Sequence, residues 1–205
     1  MQQIEPLIKG RFYHIYNRGI NSCDLFCKYN NYEHFLALYN KYVSPFADTF
    51  AWVLMPNHFH LFVQIKEKPD FVLPGSPSPD RVPNPVRAGD PSQIFSNLFN
   101  AYAQAFNKRF DRHGNLFERP FKRKLVDDES YFKSLVIYIH NNPVHHGFTQ
   151  HSMDYPWSSY LTCISVKPTH LQRDTVINWF GGESNFIAAH NKHIDKVDLE
   201  HWLGI

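Results

Sequence analysis

Residues Met55–Gln64 read M-P-N-H-F-H-L-F-V-Q, and no other segment constrains the chain as tightly. Thr49–Met55 and His58–Ile65 are apolar runs of strand length, separated by Pro56-Asn57, a turn signal. They predict a β-hairpin. Side chains alternate across a strand, so His58 and His60 share one face, while Phe59, Leu61 and Val63 point to the other, into a core. Two imidazoles side by side can hold a divalent cation through neutral nitrogens. They can equally be ordinary pocket or surface histidines, since the chain has 13.

The flanking segments extend the pattern. Arg11–Asn17 is aromatic and β-branched and ends at Arg18-Gly19, so it predicts a strand. A helix capped by Asn30 or Asn31 is expected to run to about Val43. Ser92–Arg112 carries Phe95, Leu98, Phe99, Tyr102, Ala105 and Phe106 on one helical face and should stop at His113-Gly114. Phe121–Val126 is a short strand candidate. A helix opened by Asp127 or Asp128 should be halted near Asn142-Pro143. The order β-α-β-β-α-β predicts an α+β, ferredoxin-like sandwich. Its antiparallel sheet would have about four to five strands, with helices packed on one face and a helical C-terminal extension. The long helix would cross the sheet on the face carrying either His58/His60 or Phe59/Leu61. The expected organisation is one domain over residues 1–165 and an extension over 166–205. A Pro-rich loop at 67–91 holds seven of the 14 prolines.

Composition excludes several classes. With 43% hydrophobic and 16% aromatic residues, the chain has ample core material and is not globally disordered. A net charge of +2 does not by itself announce a nucleic-acid binder. Cys23, Cys27 and Cys163 lack metal-type spacing and read as free thiols. The N-terminus shows no signal-peptide pattern and no apolar stretch reaches membrane-span length, so a cytoplasmic protein with no membrane partner is expected.

One segment does point to nucleic acid. Lys108, Arg109, Arg112, Arg119, Lys122, Arg123 and Lys124 interleave with Phe110, Phe117 and Phe121. Cations for phosphates and aromatics for bases form a single-stranded nucleic-acid pattern. A solvated helix end followed by a lysine-protected edge strand gives the same composition. Tyr102 sits mid-helix on the apolar stripe and reads first as a core aromatic, although its buried hydroxyl needs a partner. His140, His145 and His146 lie near a helix C-terminus, which suits structural or phosphate-contacting roles.

Five ordered motifs together resemble the single-tyrosine transposases of the His-hydrophobic-His class, and most of all the REP-associated tyrosine transposases. They are Tyr13–Gly19 (Y-H-I-Y-N-R-G), Val53–Leu61 (V-L-M-P-N-H-F-H-L), Tyr102–Lys108 with Gly114–Glu118, Tyr138–Val144 (Y-I-H-N-N-P-V), and Tyr155–Tyr160 (Y-P-W-S-S-Y). The resemblance implies Mg²⁺ or Mn²⁺ at His58 and His60. It further implies attack by Tyr102 on single-stranded or hairpin DNA, giving a 5′-phosphotyrosine and a free 3′-hydroxyl. Asn107 becomes the candidate third metal ligand, because Phe106 stands where related insertion-sequence transposases carry a glutamine. At five residues past Tyr102 it lies about 140° around the helix. Pro120 stands where many relatives carry arginine. A relative that only binds structured DNA, a metal-assisted hydrolase that does not need Tyr102, and a homodimer with the tyrosine acting in trans all remain open from the sequence.

Overall fold

The computed structural model describes residues 5–70 and 90–191. Four strands form one antiparallel sheet: β1 (Phe12–Arg18), β2 (Ala47–Met55), β3 (His58–Ile65) and β4 (Lys122–Val126). Their order is β2-β3-β1-β4. With α1 (Tyr29–Tyr42) between β1 and β2 and α2 (Pro91–Arg109) between β3 and β4, this is the expected ferredoxin-like core. The β2–β3 hairpin turns at Pro56-Asn57, with Met55 opposite His58. Gly19 clamps that turn, its N–H donating to the Asn57 carbonyl at 2.8 Å. A Cβ there would lie 2.0 Å from the Cys23 carbonyl oxygen, so only glycine fits.

The period-two pattern of β3 sorts the core into two layers. Phe59, Leu61, Val63 and Ile65 pack with Tyr13 and Ile15 of β1 against α1 and α2. Phe62, with Val53 and Met55 of β2, packs on the opposite face against α3 (Ser130–His145). The long helix α2 therefore takes the Phe59/Leu61 face and α3 covers the histidine face, so helices pack on both faces of the sheet and not on one as expected. α3 outruns the stop expected at Asn142-Pro143, because Pro143 lies in its last turn and forfeits one amide bond. The Phe148 N–H then bonds the Pro143 carbonyl at 2.8 Å. The other boundaries shift by a few residues. Asp90 caps α2, accepting from the Ser92 N–H at 2.9 Å, with Pro91 in the first turn. In α1, Asn31 works from inside the first turn, accepting from the Lys28 N–H.

Three short helices follow: α4 (Tyr160–Cys163), α5 (Arg173–Phe180) and α6 (Glu183–His190). Val176, Phe180 and Phe186 are buried in the same layer as α3. Most of the Pro-rich loop, residues 71–89, and residues 192–205 lie outside the described residues. Among the described residues no helix is long and apolar enough to cross a membrane.

α6 docks through a buried polar chain. His140 Nδ1 meets His190 Nε2 at 3.0 Å, and His140 Nε2 meets Ser159 Oγ at 2.7 Å. Burial pushes His190 down to about 4 and holds His140 well below its ordinary value. Both are neutral in the fold but protonate near 6.5 once unfolded. Their depressed values make stability complete above about pH 6.5 and erode it as the pH falls toward 4. For His190 the loss reaches on the order of 3 kcal/mol below that. Hydrogen-exchange protection in residues 173–190, corrected for the intrinsic pH dependence of exchange, should therefore fall between pH 6.5 and 4.

Candidate functional site

The strand register gathers a set of polar side chains on the face beneath α3. Tyr16 lies between His60 on β3 and Lys122 on β4, His14 lies between Phe62 and Lys124, and Arg18 is opposite His58. From above, α3 contributes Tyr138, Asn142 and His146, spaced four residues apart and so on one helical stripe. Each meets the histidine pair. Tyr138 packs edge-on against His60 with ring centroids 5.5 Å apart. Asn142 Oδ1 lies 2.9 Å from His58 Nε2, and the His146 ring is 5.1 Å from that of His58. Tyr16, Arg18, His58, His60, Lys122, Tyr138 and His146 line a solvent-open cleft of about 590 Å³, together with Asp24, Glu118 and Phe148.

His60 is held on three sides. Its Nδ1 lies 2.9 Å from Nε2 of His14, a fully buried residue whose ring stacks on it at 5.0 Å. Tyr16 stacks on both rings, 4.7 Å from His14 and 5.8 Å from His60. Burial drives His14 down to about 3. It also lowers His58 to about 4; His146 and Arg18 add to that, and the Asn142 bond opposes it. His60 falls well below its ordinary value, from burial first and then from the neighbouring histidines. All three imidazoles are therefore neutral near pH 7 and keep a lone pair.

The His58 and His60 rings lie edge to face, with centroids 5.3 Å apart. His58 Nδ1 lies 2.7 Å from Asn57 Oδ1 while its Nε2 faces the Asn142 oxygen. A neutral imidazole has one N–H and can donate to only one of these oxygens. The other contact is either an amide turned to donate its NH₂ or two lone pairs waiting for a cation. His60 Nδ1 lies beside His14 Nε2; in the tautomer where His60 Nδ1–H donates, its Nε2 keeps a lone pair for a ligand. Among the described residues, no group of three or more His, Cys, Asp or Glu side chains is placed to hold a metal.

The structure does not bring Tyr102 to this cleft. Tyr102 lies on α2, on the far side of the sheet, packed among Phe26, Phe35, Phe106 and Phe117. Its hydroxyl donates to the Leu25 carbonyl at 2.5 Å and is buried there. Burial raises its pKa far above the ordinary phenol value. The partner its hydroxyl needs is thus a backbone carbonyl. Asn107 is also elsewhere: its amide donates to the Gly114 carbonyl and accepts from Arg112. Of the basic residues, Lys122 lines the histidine cleft and Lys124 shares its sheet face. Arg119 and Arg123 line a different cleft, and Lys108 and Arg109 are exposed in the last turn of α2. Sequence reasoning missed Tyr138, Asn142 and His146 as a group, and His14 and Tyr16 beside them. The signals were present as a four-residue spacing on a helix and a two-residue spacing on β1.

No family model matches the chain. Over 118 residues it is 27% identical to a Haemophilus influenzae protein named as a REP-associated tyrosine transposase, a match covering 57% of this chain. The chain spans about 60% of that relative's length. Its fold matches a solved REP-associated tyrosine transposase bound to a REP hairpin, with a TM-score of 0.58 and 18% identity, over 82% of this chain and 88% of the other. In sequence and in fold the chain is thus similar to the REP-associated tyrosine transposases.

Proposed function

We propose that this relative of the REP-associated tyrosine transposases cleaves and rejoins single-stranded DNA at hairpins, with Tyr138 as its nucleophile. The observation that carries the reading is the contact of Tyr138 with His60 across one solvent-open cleft. Tyr138 rides on the same helical stripe as Asn142, which engages His58, so one rigid helix would hold nucleophile and histidine pair in register. Tyr16 also touches His60, but its ring lies flat in the stack with His14 and its pKa is raised by burial.

In this reading His58 and His60 hold a divalent cation, with the Asn142 oxygen beside them. Two nitrogen donors suit Mn²⁺ better than the oxygen-seeking Mg²⁺. Such an ion would neutralise charge on the scissile phosphate and the leaving oxygen. The Tyr138 oxygen attacks phosphorus, forming an O–P bond while the bond to the 3′-oxygen breaks. The phenol proton leaves and the 3′-oxygen gains one, so protons balance and no nucleotide cofactor is consumed. Lys122 at the rim offers a cation to the backbone, and the phosphotyrosine preserves the bond energy for rejoining. The test is a denaturation-resistant adduct with labelled hairpin DNA in Mn²⁺. DNA binding with no adduct under any cation would leave a binding protein only.

His14 is a positioning residue in this scheme, because it fixes which nitrogen of His60 faces the cleft. Replacing it with phenylalanine keeps the stacked aromatic and removes the hydrogen bond. Mn²⁺ affinity, read by calorimetry, should fall about 10- to 100-fold, and Tm should drop as His60 Nδ1 loses its buried partner. Unchanged affinity would assign His14 to packing alone.

A further inference from the structure

The motif Tyr155–Tyr160 takes no part in the chemistry above, yet its Ser159 is fully buried and hydrogen-bonded to both β2 and α3. Ser159 is tied to β2 twice. Its N–H donates to the Trp52 carbonyl at 2.9 Å, and its Oγ accepts from the Trp52 N–H at 2.9 Å. Trp52 pairs with Leu61 of β3, and its neighbour Val53 pairs with His60. Ser159 is thus referenced to the stretch of sheet that carries the histidine pair. On its other side, Oγ meets His140 Nε2 of α3 at 2.7 Å, and His140 Nδ1 meets His190 Nε2 of α6 at 3.0 Å.

The proton order along this chain follows from its far end. The Phe186 carbonyl, 2.8 Å from His190 Nδ1, can only accept, so that nitrogen carries the hydrogen. Both imidazoles are neutral. His190 Nε2 therefore accepts from His140 Nδ1–H, and His140 Nε2 accepts from the Ser159 hydroxyl. Every donor has its acceptor, which favours one geometry over its neighbours. Elsewhere α3 is seated by Phe132, Leu135, Val136 and Ile139, whose apolar contacts are non-directional and allow a helix to roll. His140 lies two residues from Tyr138 and from Asn142, about 200° around the helix from each. The helix is therefore held on one side by Asn142 at His58 and on the other by His140 at Ser159. About 10° of roll moves a side-chain tip by about 1 Å. Misplacement by about 1 Å can cost on the order of 10²-fold in rate.

We infer that the Ser159–His140–His190 chain fixes the roll of α3 over the sheet, which makes Ser159 a positioning residue for attack by Tyr138. Ser159 is sealed from solvent and touches neither the cation nor the DNA; it acts through His140 alone. The inference rests on the reading of Tyr138 as the nucleophile.

The experiment compares wild type, Ser159→Ala and Val176→Ala in the full chain. Val176 is buried in the same layer but outside the hydrogen-bonded chain, so its truncation lowers stability without cutting the link. Each protein is assayed well below its Tm for hairpin affinity, Mn²⁺ affinity and the single-turnover rate of adduct formation at saturating hairpin DNA and Mn²⁺. Ser159→Ala should form the adduct about 10- to 100-fold more slowly, with both affinities within about twofold of wild type. Val176→Ala should lose Tm and keep the wild-type rate. A wild-type rate in Ser159→Ala, losses of affinity as large as its loss of rate, or equal slowing in Val176→Ala would overturn the positioning role and leave the Tyr138 reading standing. Nitrogen-15 spectra of the histidines test the chain without DNA. Both His140 and His190 should be Nδ1–H tautomers, and an Nε2–H tautomer at His140 would break the proton order and overturn the proposal. If wild type forms no adduct, the nucleophile reading falls and the inference falls with it.

Discussion

Tyr138→Phe should abolish the covalent protein–DNA adduct, by at least about 10³-fold, while the variant still binds hairpin DNA. Phenylalanine keeps the ring against His60 and deletes the oxygen proposed to attack phosphorus. Tyr102→Phe should do the opposite. It removes a buried hydrogen bond to the Leu25 carbonyl, which costs on the order of 1–3 kcal/mol of stability, and leaves adduct formation intact in the folded protein. Tyr16→Phe serves as the control for the second tyrosine beside His60. An adduct that survives Tyr138→Phe and vanishes with Tyr102→Phe would reverse the assignment. It would require α2 to leave the face on which Phe59 and Phe99 now pack.

Removing the histidine pair should have the next largest effect. A His58→Ala/His60→Ala variant should lose Mn²⁺ binding by at least about 100-fold and form no adduct. The single changes separate two roles. His58→Ala strips the ring facing the Asn57 and Asn142 amides, near the rim of the cleft. His60→Ala also empties a buried place between His14, Tyr16 and Tyr138, so it should lower Tm as well. Calorimetry with Mn²⁺ alone reads the first effect without any DNA. Mn²⁺ affinity unchanged in the double variant would remove the cation from this cleft, whatever happened to cleavage.

The strands and the pairing of β2 with β3 were legible in the residues, because period-two alternation and a Pro-Asn turn are local signals. So was the shared face of His58 and His60, which follows from strand geometry alone. The motifs named the right relatives for the same reason, since they are stretches of contiguous sequence. Which tyrosine shares the histidine face was not legible. Tyr102 and Tyr138 both sit on apolar helical stripes, and the pattern within a helix says which residues face inward without saying which side of a sheet the helix covers. That side depends on the crossover of the whole chain: α2 takes the Phe59 face, and α3, running past Pro143, closes over the histidines. The sequence by itself determined the strands, the paired imidazoles and the family likeness. Only the tertiary structure decided which phenol shares their cleft, because two faces of one sheet are separated by its thickness and not by any distance along the chain.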